Sequence, residues 1–557
     1  MKKSTALTLA LSLAPSSVPG LAFACGGLFC NNSSPIVQSG EQILFAQEDD
    51  STIQMHVLIN YAGPPQDFGW ILPTPRGVTT TLSTQGLFSA LTLFQPAFYI
   101  GQTEKIADCM EQPRCIDCEF PSAADRDSEG AGGQNAGGGG VDVISREIVG
   151  PYDRVILSAE SVMDLRLWLD ENGYQIPESA DEKLLPYIGN SVFVAIKLVG
   201  SADANDIVPL ALTFPGDLPS IPIVPTSVAA TPDMGIVVYV LGSSRAIPAN
   251  YLHVQINEAA IDWASGGGNY FDVVAQAADE ANGKAFATDF AGPHGAALQG
   301  AFDAVPEALL DRISGAMTMQ AFTDAACEQG LNFFDADIRR VLTDILLPPT
   351  EAARYCDSCI GCLGNAPDDP INGAELAARL RMEVNEPRVG LTALFGRHPY
   401  LTRLFSTMSP EEMNEDPAFT FGRQLPDVQS ARIATQLLDR CDAEGYYDYA
   451  NYGVRTPSGV EVRVEGGEQA DAIARQDGRT VRQGDEPGAA VIEQLLTTGG
   501  SAVKTDNLPA ILARHRSTST ESGCGCRVTR GGAGWSALGL AALLLLRRRR
   551  RYTGGRG

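Results

Sequence analysis

Cysteine is the residue type in this sequence with the most chemistry to offer. Of twelve cysteines, Cys356-Asp-Ser-Cys359-Ile-Gly-Cys362 and Cys115-Ile-Asp-Cys118 have the two-residue spacing that lets a pair of thiolates meet one tetrahedral zinc. In an oxidising compartment the same residues would instead form disulfides, each worth ~2–4 kcal/mol. Ten precede the tail, at Cys25, Cys30, Cys109, Cys115, Cys118, Cys327, Cys356, Cys359, Cys362 and Cys441. An even number favours disulfides, with Cys25 and Cys30 the most local pair, although connectivity is not written in spacing. Disulfides and no cofactor are therefore the expectation, with zinc at the Cys-x-x-Cys-x-x-Cys run as the alternative.

Histidine is scarce: His56, His253, His294, His398 and His515 are the full set. No Gly-x-Ser-x-Gly elbow, His-Glu-x-x-His helix, Walker loop or Asp-x-Asp-x-Asp-Gly loop is present. A hydrolase can assemble its site from distant positions, so missing motifs do not exclude one. His56, between Met55 and Val57 in an apolar run, reads as a strand histidine, and Trp70 as a core or groove aromatic. Glu411-Glu412 after Ser409-Pro410 reads as a capped helix start. No catalytic, cofactor or metal residue is assigned on this basis.

The ends place these residues in a compartment. Met1-Lys2-Lys3, the apolar stretch around Ala6–Leu13 and Ala22-Phe23-Ala24 have the order of a signal peptide over residues 1–24. Ala22 and Phe23 depart from a lipobox, so ordinary signal-peptidase cleavage before Cys25 is expected. At the other end, Ala533–Leu546 is fourteen residues, ~21 Å as a helix against ~30 Å of hydrocarbon. Arg547, Arg548, Arg549, Arg550 and Arg551 follow it as a cytoplasmic stop. The formal charge is -26. Without the leader lysines and the eight arginines after Cys526, 31 basic residues face 67 acidic ones. Such a surface repels phosphate backbones, so nucleic acid is not an expected partner.

The elements that must position this chemistry read as α+β. A β-rich mixed α/β part over 25–299 contains a Gly-rich loop at about 119–141. A mainly helical, cysteine-bearing part over 300–450 follows, then a small hairpin-containing segment over 451–515, a polar spacer with the Cys motif over 516–526, and a tail with a short hydrophobic helix over 527–557. Strands are predicted in "EQILFAQEDDSTIQMHVLINY" around the turn 48–51, and in "FGWILPTP", "SVFVAIKLVG", "IVPLALTF" and "MGIVVYVLG". Helices are predicted after Ser161 (carrying Met163, Leu167 and Trp168) and over Tyr270–Ala281, Pro306–Ala316, Phe334–Leu347, Gly373–Glu383 and Val428–Asp442. A hairpin is expected around Pro457-Ser458-Gly459.

"CGGLFC", "FGWILPTP", "VGPYDRVIL", "LRLWLDENGYQIP", "IPIVPTSVAA" and "PYLTRLFSTMSPEEMNEDPAF", in that order between Cys25 and Cys441, resemble the exported bacterial family called domain of unknown function 2330. The resemblance implies a secreted bacterial protein and carries no reaction or catalytic residue with it. "GCGCR", the apolar helix and the arginine cluster resemble the myxobacterial C-terminal sorting signal. That resemblance implies a membrane protease that removes the helix and an anchoring role for Cys524 or Cys526. A mutual or intermolecular disulfide of these two cysteines, and a plain transmembrane anchor, are the alternatives.

The expected location is thus outside the cytoplasm, at the cell envelope or surface, the chain first spanning the inner membrane by its tail. Signal peptidase, a sorting protease and the membrane are the expected partners, with an envelope partner unidentified. Two functions fit: a non-enzymatic binding or structural module, which is preferred, or a secreted hydrolase. The hydrolase would work in a cleft between the β-rich and helical parts, near Trp70 or His253.

Overall fold

Ile43 and Phe45 point to one side of their strand, Leu44 and Ala46 to the other, and all four are fully buried. Such a strand must lie between two layers. In the computed structural model, which describes residues 28–29, 38–48, 51–58, 68–111, 142–174, 176–199, 207–328, 330–346, 367–469, 472–476, 479–481 and 486–516, that strand is Gln38–Gln47, central to a mixed sheet of ten. The order across the sheet is Ser501–Asp506, Ala489–Leu495, Leu252–Ile256, Ala285–Pro293, Tyr400–Met408, Ala230–Gly242, Gln38–Gln47, Thr52–Leu58, Leu210–Pro215 and Thr79–Leu82. Two neighbouring pairs are parallel, Ala230–Gly242 with Gln38–Gln47 and Leu252–Ile256 with Ala285–Pro293.

One face of this sheet packs on an antiparallel sheet that includes Gly69–Thr74, Val192–Leu198, Tyr152–Ser158 and Asp142–Val149. Ile43, Phe45, Trp70, Leu72, Tyr152, Val194 and Ile196 meet between them. The other face is covered by helices Gln85–Leu91 and Glu386–Arg397, through Leu87, Leu91, Leu391 and Leu394 against Leu44 and Leu241. Helix Val162–Glu171 closes the outer side of the smaller sheet. Ser161 caps it, accepting from the Asp164 N–H at 3.1 Å. Its buried face is Leu165, Trp168 and Leu169, so Trp168 is buried as the periodicity requires while Met163 and Leu167 stay exposed.

Helices Glu307–Ser314, Met319–Glu328, Ala336–Ile345 and Gly373–Leu380 form their own core around Leu310, Phe322, Val341 and Leu376. Between Leu380 and Glu386 the chain winds as a π-helix, Arg381–Asn385. Pro387 explains it: with no N–H to give the carbonyl four residues back, the α ladder cannot run through. Strands resume at Tyr400.

A four-stranded sheet is formed by Glu461–Val464, Tyr452–Arg455, Ala431–Leu438 and Ala97–Lys105, and two two-stranded sheets accompany it. Ala431–Leu438 runs parallel to Ala97–Lys105, ending at the pair Leu438 and Lys105. Just beyond both ends, a Cys109–Cys441 disulfide joins residues 332 apart in sequence. The expected hairpin is the pair Tyr452–Arg455 and Glu461–Val464.

Two expectations fail here. Val428–Asp442 is not a helix: residues Ala431–Leu438 form a strand, because Ile433 and Thr435 are β-branched and the parallel partner supplies hydrogen bonds that helical spacing does not reveal. Ser409-Pro410-Glu411-Glu412 starts no helix either. Its capping contacts do form, with the Ser409 N–H donating to Glu412 Oε2 at 2.7 Å and the Glu412 N–H to the Ser409 carbonyl at 2.9 Å. Pro417 then pushes Asp416 out of the helical region, leaving room for one turn only.

Candidate functional site

Charged or polar residues inside otherwise apolar strands are where this fold becomes polar within. Leu252–Ile256 carries His253, Ala489–Leu495 carries Glu493 and Ala285–Pro293 carries Thr288. The three strands are neighbours, and His253 stands directly opposite Glu493 in the antiparallel register. Val254, Ala287 and Ile492, one position away in each strand, turn to the other face, onto helix Tyr270–Glu280. That helix approaches closely because Gly488 leads into the Glu493 strand: a Cβ there would lie 2.6 Å from the Ala277 nitrogen and 2.8 Å from the Val273 carbonyl oxygen.

On the polar face the groups form one chain. His253 Nδ1 lies 3.0 Å from Glu493 Oε1, and His253 Nε2 lies 3.1 Å from Thr288 Oγ1. Arg245, in the turn before strand Ala246–Pro248, donates from Nη2 to Thr288 Oγ1 at 2.9 Å and sits 3.4 Å from His253 Nε2. A carboxylate only accepts, a guanidinium only donates and a neutral imidazole nitrogen offers one lone pair, so Thr288 and Arg245 compete for His253 Nε2 and the shorter contact sets the arrangement. His253 donates from Nδ1 to Glu493, Thr288 donates to His253 Nε2, and Arg245 donates to the Thr288 hydroxyl.

Protonation states agree with that arrangement. Burial, with the Arg245 charge adding to it, holds His253 below the ordinary histidine value despite its bond to Glu493, so the ring is neutral. Burial opposes ionisation of Glu493, but hydrogen bonds from His253, Ser501 and Gln255 outweigh it and bring the carboxyl down to about 2.

Arg245 is the exception in this protein's charge pairing. Among the described residues four arginines are buried: Arg154, Arg245, Arg388 and Arg403. Arg154 pairs with Glu147, Arg388 with Asp335 and Arg403 with Asp289. Arg245 has no carboxylate ion-pair partner among the described residues, and its Nε is buried without a hydrogen-bond partner there. Among the described residues its Nη1 reaches only the Pro426 carbonyl, at 3.3 Å.

These residues line a cavity of about 450 Å³, with Phe98, Leu425, Val428 and Leu495 among its apolar walls. Arg432 also faces it, its side chain's one hydrogen bond among the described residues going to the Asp289 carbonyl at 3.3 Å. Asp289 is the extra residue of a β-bulge, where the register passes from Thr288–Leu404 to Phe290–Arg403. The cavity lies between the end of the ten-stranded sheet and the four-stranded sheet; the helices between residues 307 and 397 contribute nothing to its lining.

The comparisons with known proteins then place the sequence. A family described as an uncharacterized protein conserved in bacteria, DUF2330, matches residues 19–307. The chain belongs to this family. No curated protein and no solved structure matches it. Arg245, His253 and Thr288 fall within the DUF2330 segment, whereas Glu493 and Arg432 lie beyond it.

Of the residues singled out in this DUF2330 sequence, His253 is in the cavity and Trp70 is not. Trp70 is fully buried between the two large sheets, which corrects its placement beside a cleft. His56 is a buried strand histidine, its Nδ1 2.8 Å from Ser83 Oγ, and burial lowers it to about 4. Cys109 and Cys441 are bonded to each other, and Cys327 is disulfide-bonded as well. Cys25, Cys30, Cys115, Cys118, Cys356, Cys359, Cys362, Cys524, Cys526 and Arg547–Arg551 lie outside the described residues, as do the leader, the Gly-rich loop, the spacer beyond Arg516 and the tail. Among the described residues no group of three metal-ligating side chains converges, and no helix is long and apolar enough to cross a membrane.

Sequence reading missed Arg245, Thr288 and Glu493. Two of them had a signal: "AAVIEQLL" and "AFATDFAG" each put polar or acidic residues into an apolar strand, where burial demands a partner. Arg245, in the "GSSRAIP" turn, had none.

Proposed function

We propose that this DUF2330 protein is an exported bacterial envelope protein whose 450 Å³ cavity binds a small organic anion. The observation that carries the reading is Arg245. A buried cation with no carboxylate in contact is expensive: among the described residues Arg245 feels Glu493 only at a distance, with His253 between them, whereas its three buried counterparts each touch one. A ligand carboxylate would supply it. Cavities of this size with apolar walls and a few convergent polar groups are the usual form of a small-molecule site. Phe98, Leu425, Val428 and Leu495 favour a flat apolar body on that anion.

Delivery rests on the termini. The leader over residues 1–24 is cut by signal peptidase, and the tail over 527–557 is held at the inner membrane by Arg547–Arg551 until a sorting protease removes it. Cys524 or Cys526 is then the anchor at the envelope or cell surface. The acidic body keeps the protein soluble and away from nucleic acid, and the remaining cysteines pair as disulfides without metal.

Calorimetric titration of the full chain with benzoate tests the binding reading. One saturable site that is lost in Arg245→Met is expected; no heat, or equal binding by both proteins, would overturn it. Mass spectrometry of the two ends of the mature protein in native membranes tests delivery. A chain that still contains residues 534–546 would replace sorting with a plain anchor.

A further inference from the structure

We infer that the same cavity hydrolyses carboxylic esters, with Thr288 as nucleophile and His253 as its base. The inference rests on the anion-binding reading, because the acid released by hydrolysis is the anion that Arg245 would hold. Its evidence is the alignment of four groups in one cavity: Glu493 Oε1 to His253 Nδ1 at 3.0 Å, His253 Nε2 to Thr288 Oγ1 at 3.1 Å, and Arg245 Nη2 to Thr288 Oγ1 at 2.9 Å. Base to nucleophile and base to orienting carboxylate are both hydrogen-bonded, which is the geometry acyl transfer requires. The fourth group is what distinguishes this chain from a packed polar network. A guanidinium that no carboxylate touches among the described residues lies beside the hydroxyl, where negative charge develops when that hydroxyl attacks a carbonyl.

The step balances with water as the only co-reactant. Thr288 Oγ forms a bond to the ester carbonyl carbon while its proton passes to His253 Nε2, and the oxyanion rests against Arg245. The carbon–oxygen bond to the alcohol breaks, and the alcohol leaves with the proton from His253, giving an acyl-threonine. Water then attacks the same carbon and gives a proton to His253 Nε2. The bond to Thr288 Oγ breaks, the hydroxyl recovers its proton, and the carboxylic acid is released. Glu493 touches no reacting atom. It is a positioning residue, fixing the His253 tautomer and stabilising the imidazolium that forms in each half-reaction. Phe98, Val428 and Leu495 would receive the apolar acyl group.

The test uses the full chain with p-nitrophenyl butyrate as substrate and a fluorophosphonate as label, the labelled residue being located by peptide mass mapping. One label per chain on Thr288 is expected. Turnover should be abolished in Thr288→Val, which keeps the shape, and retained within about tenfold in Thr288→Ser; Arg245→Met should lower kcat about a hundredfold. Glu493→Gln should lower kcat and move the acid limb of the pH–rate profile to lower pH, because a neutral amide no longer favours the imidazolium. A merely structural loss would scale the profile without moving it. Absence of both turnover and label, a label elsewhere, or undiminished activity in Thr288→Val overturns ester hydrolysis. Benzoate calorimetry keeps the two readings apart: binding without turnover overturns hydrolysis alone, and loss of both overturns the binding reading with it.

Discussion

Glu493 and His253 face each other across adjacent antiparallel strands, carboxylate to imidazole at 3.0 Å, with less than a tenth of either residue exposed. A neutral ring bonded to a buried carboxylate ties the protein's stability to acid in a defined direction. Glu493 is lowered to about 2 from 4.5, so it contributes stability above 4.5 that disappears as pH falls toward 2. His56 is lowered to about 4 from 6.5, so the unfolded chain takes up a proton that the folded one refuses, and stability declines from pH 6.5 to 4. Equilibrium unfolding across pH 3–8 should show both declines. His253, also held below the ordinary histidine value by burial, adds to the upper decline, so His56→Gln should make that decline shallower without abolishing it and leave the lower one in place.

An opposite slope is expected on the alkaline side. Glu41, on the strand Gln38–Gln47, is buried with Oε2 unpartnered among the described residues, and burial together with the charge of Asp416 raises its carboxyl to about 8. Burial likewise raises Asp416, whose Oδ2 accepts from the Tyr187 hydroxyl at 2.6 Å. A raised carboxyl stabilises below pH 4.5 and loses that contribution as pH climbs through 8. Glu41→Gln keeps the shape without the proton. It should be more stable than the parent at pH 9, on the order of 1 kcal/mol or more, and no more stable at pH 4.

Reduction should reach the cavity as well as the fold. The Cys109–Cys441 disulfide closes a 332-residue loop just past the ends of the parallel strands Ala97–Lys105 and Ala431–Leu438, and Phe98 and Arg432 of those strands line the cavity. The double variant Cys109→Ser, Cys441→Ser should lose about 2–5 kcal/mol in denaturant titration. Its benzoate affinity should weaken more than that of a variant with a comparable loss placed in the helical cluster, such as Leu310→Ala.

Arg245→Met should stabilise the unliganded protein, on the order of 1 kcal/mol, because it removes a buried charge that no carboxylate touches among the described residues. Arg388→Met, which strands Asp335 and Asp337, should destabilise by about 3–5 kcal/mol. Opposite signs for two buried arginines in the same thermal or chemical melt would separate a functional cation from a structural one.

Much of the fold was legible in the sequence, and the exceptions have physical causes. The hairpin at residues 38–58, the Ser161 cap and the helices beginning at Tyr270, Glu307, Ala336 and Gly373 follow from local periodicity and turn chemistry, and they form as read. Ala431–Leu438 does not, because a parallel strand is stabilised by a partner more than three hundred residues away that no local window contains. The site was half legible. His253 stood out for its scarcity, but its meaning depends on Glu493, 240 residues later, and only strand order brings them together. Arg245 became conspicuous only when every other buried arginine among the described residues proved to be paired.

Ring-nitrogen NMR of His253 during benzoate titration of the full chain decides between these readings of the cavity. A neutral ring protonated on Nδ1 is expected at pH 6, where an ordinary histidine is mostly charged, with an Nε2 resonance that shifts as benzoate fills the cavity beside Arg245. A ring that titrates near 6.5, or one that ignores saturating benzoate, would contradict the anion-binding reading.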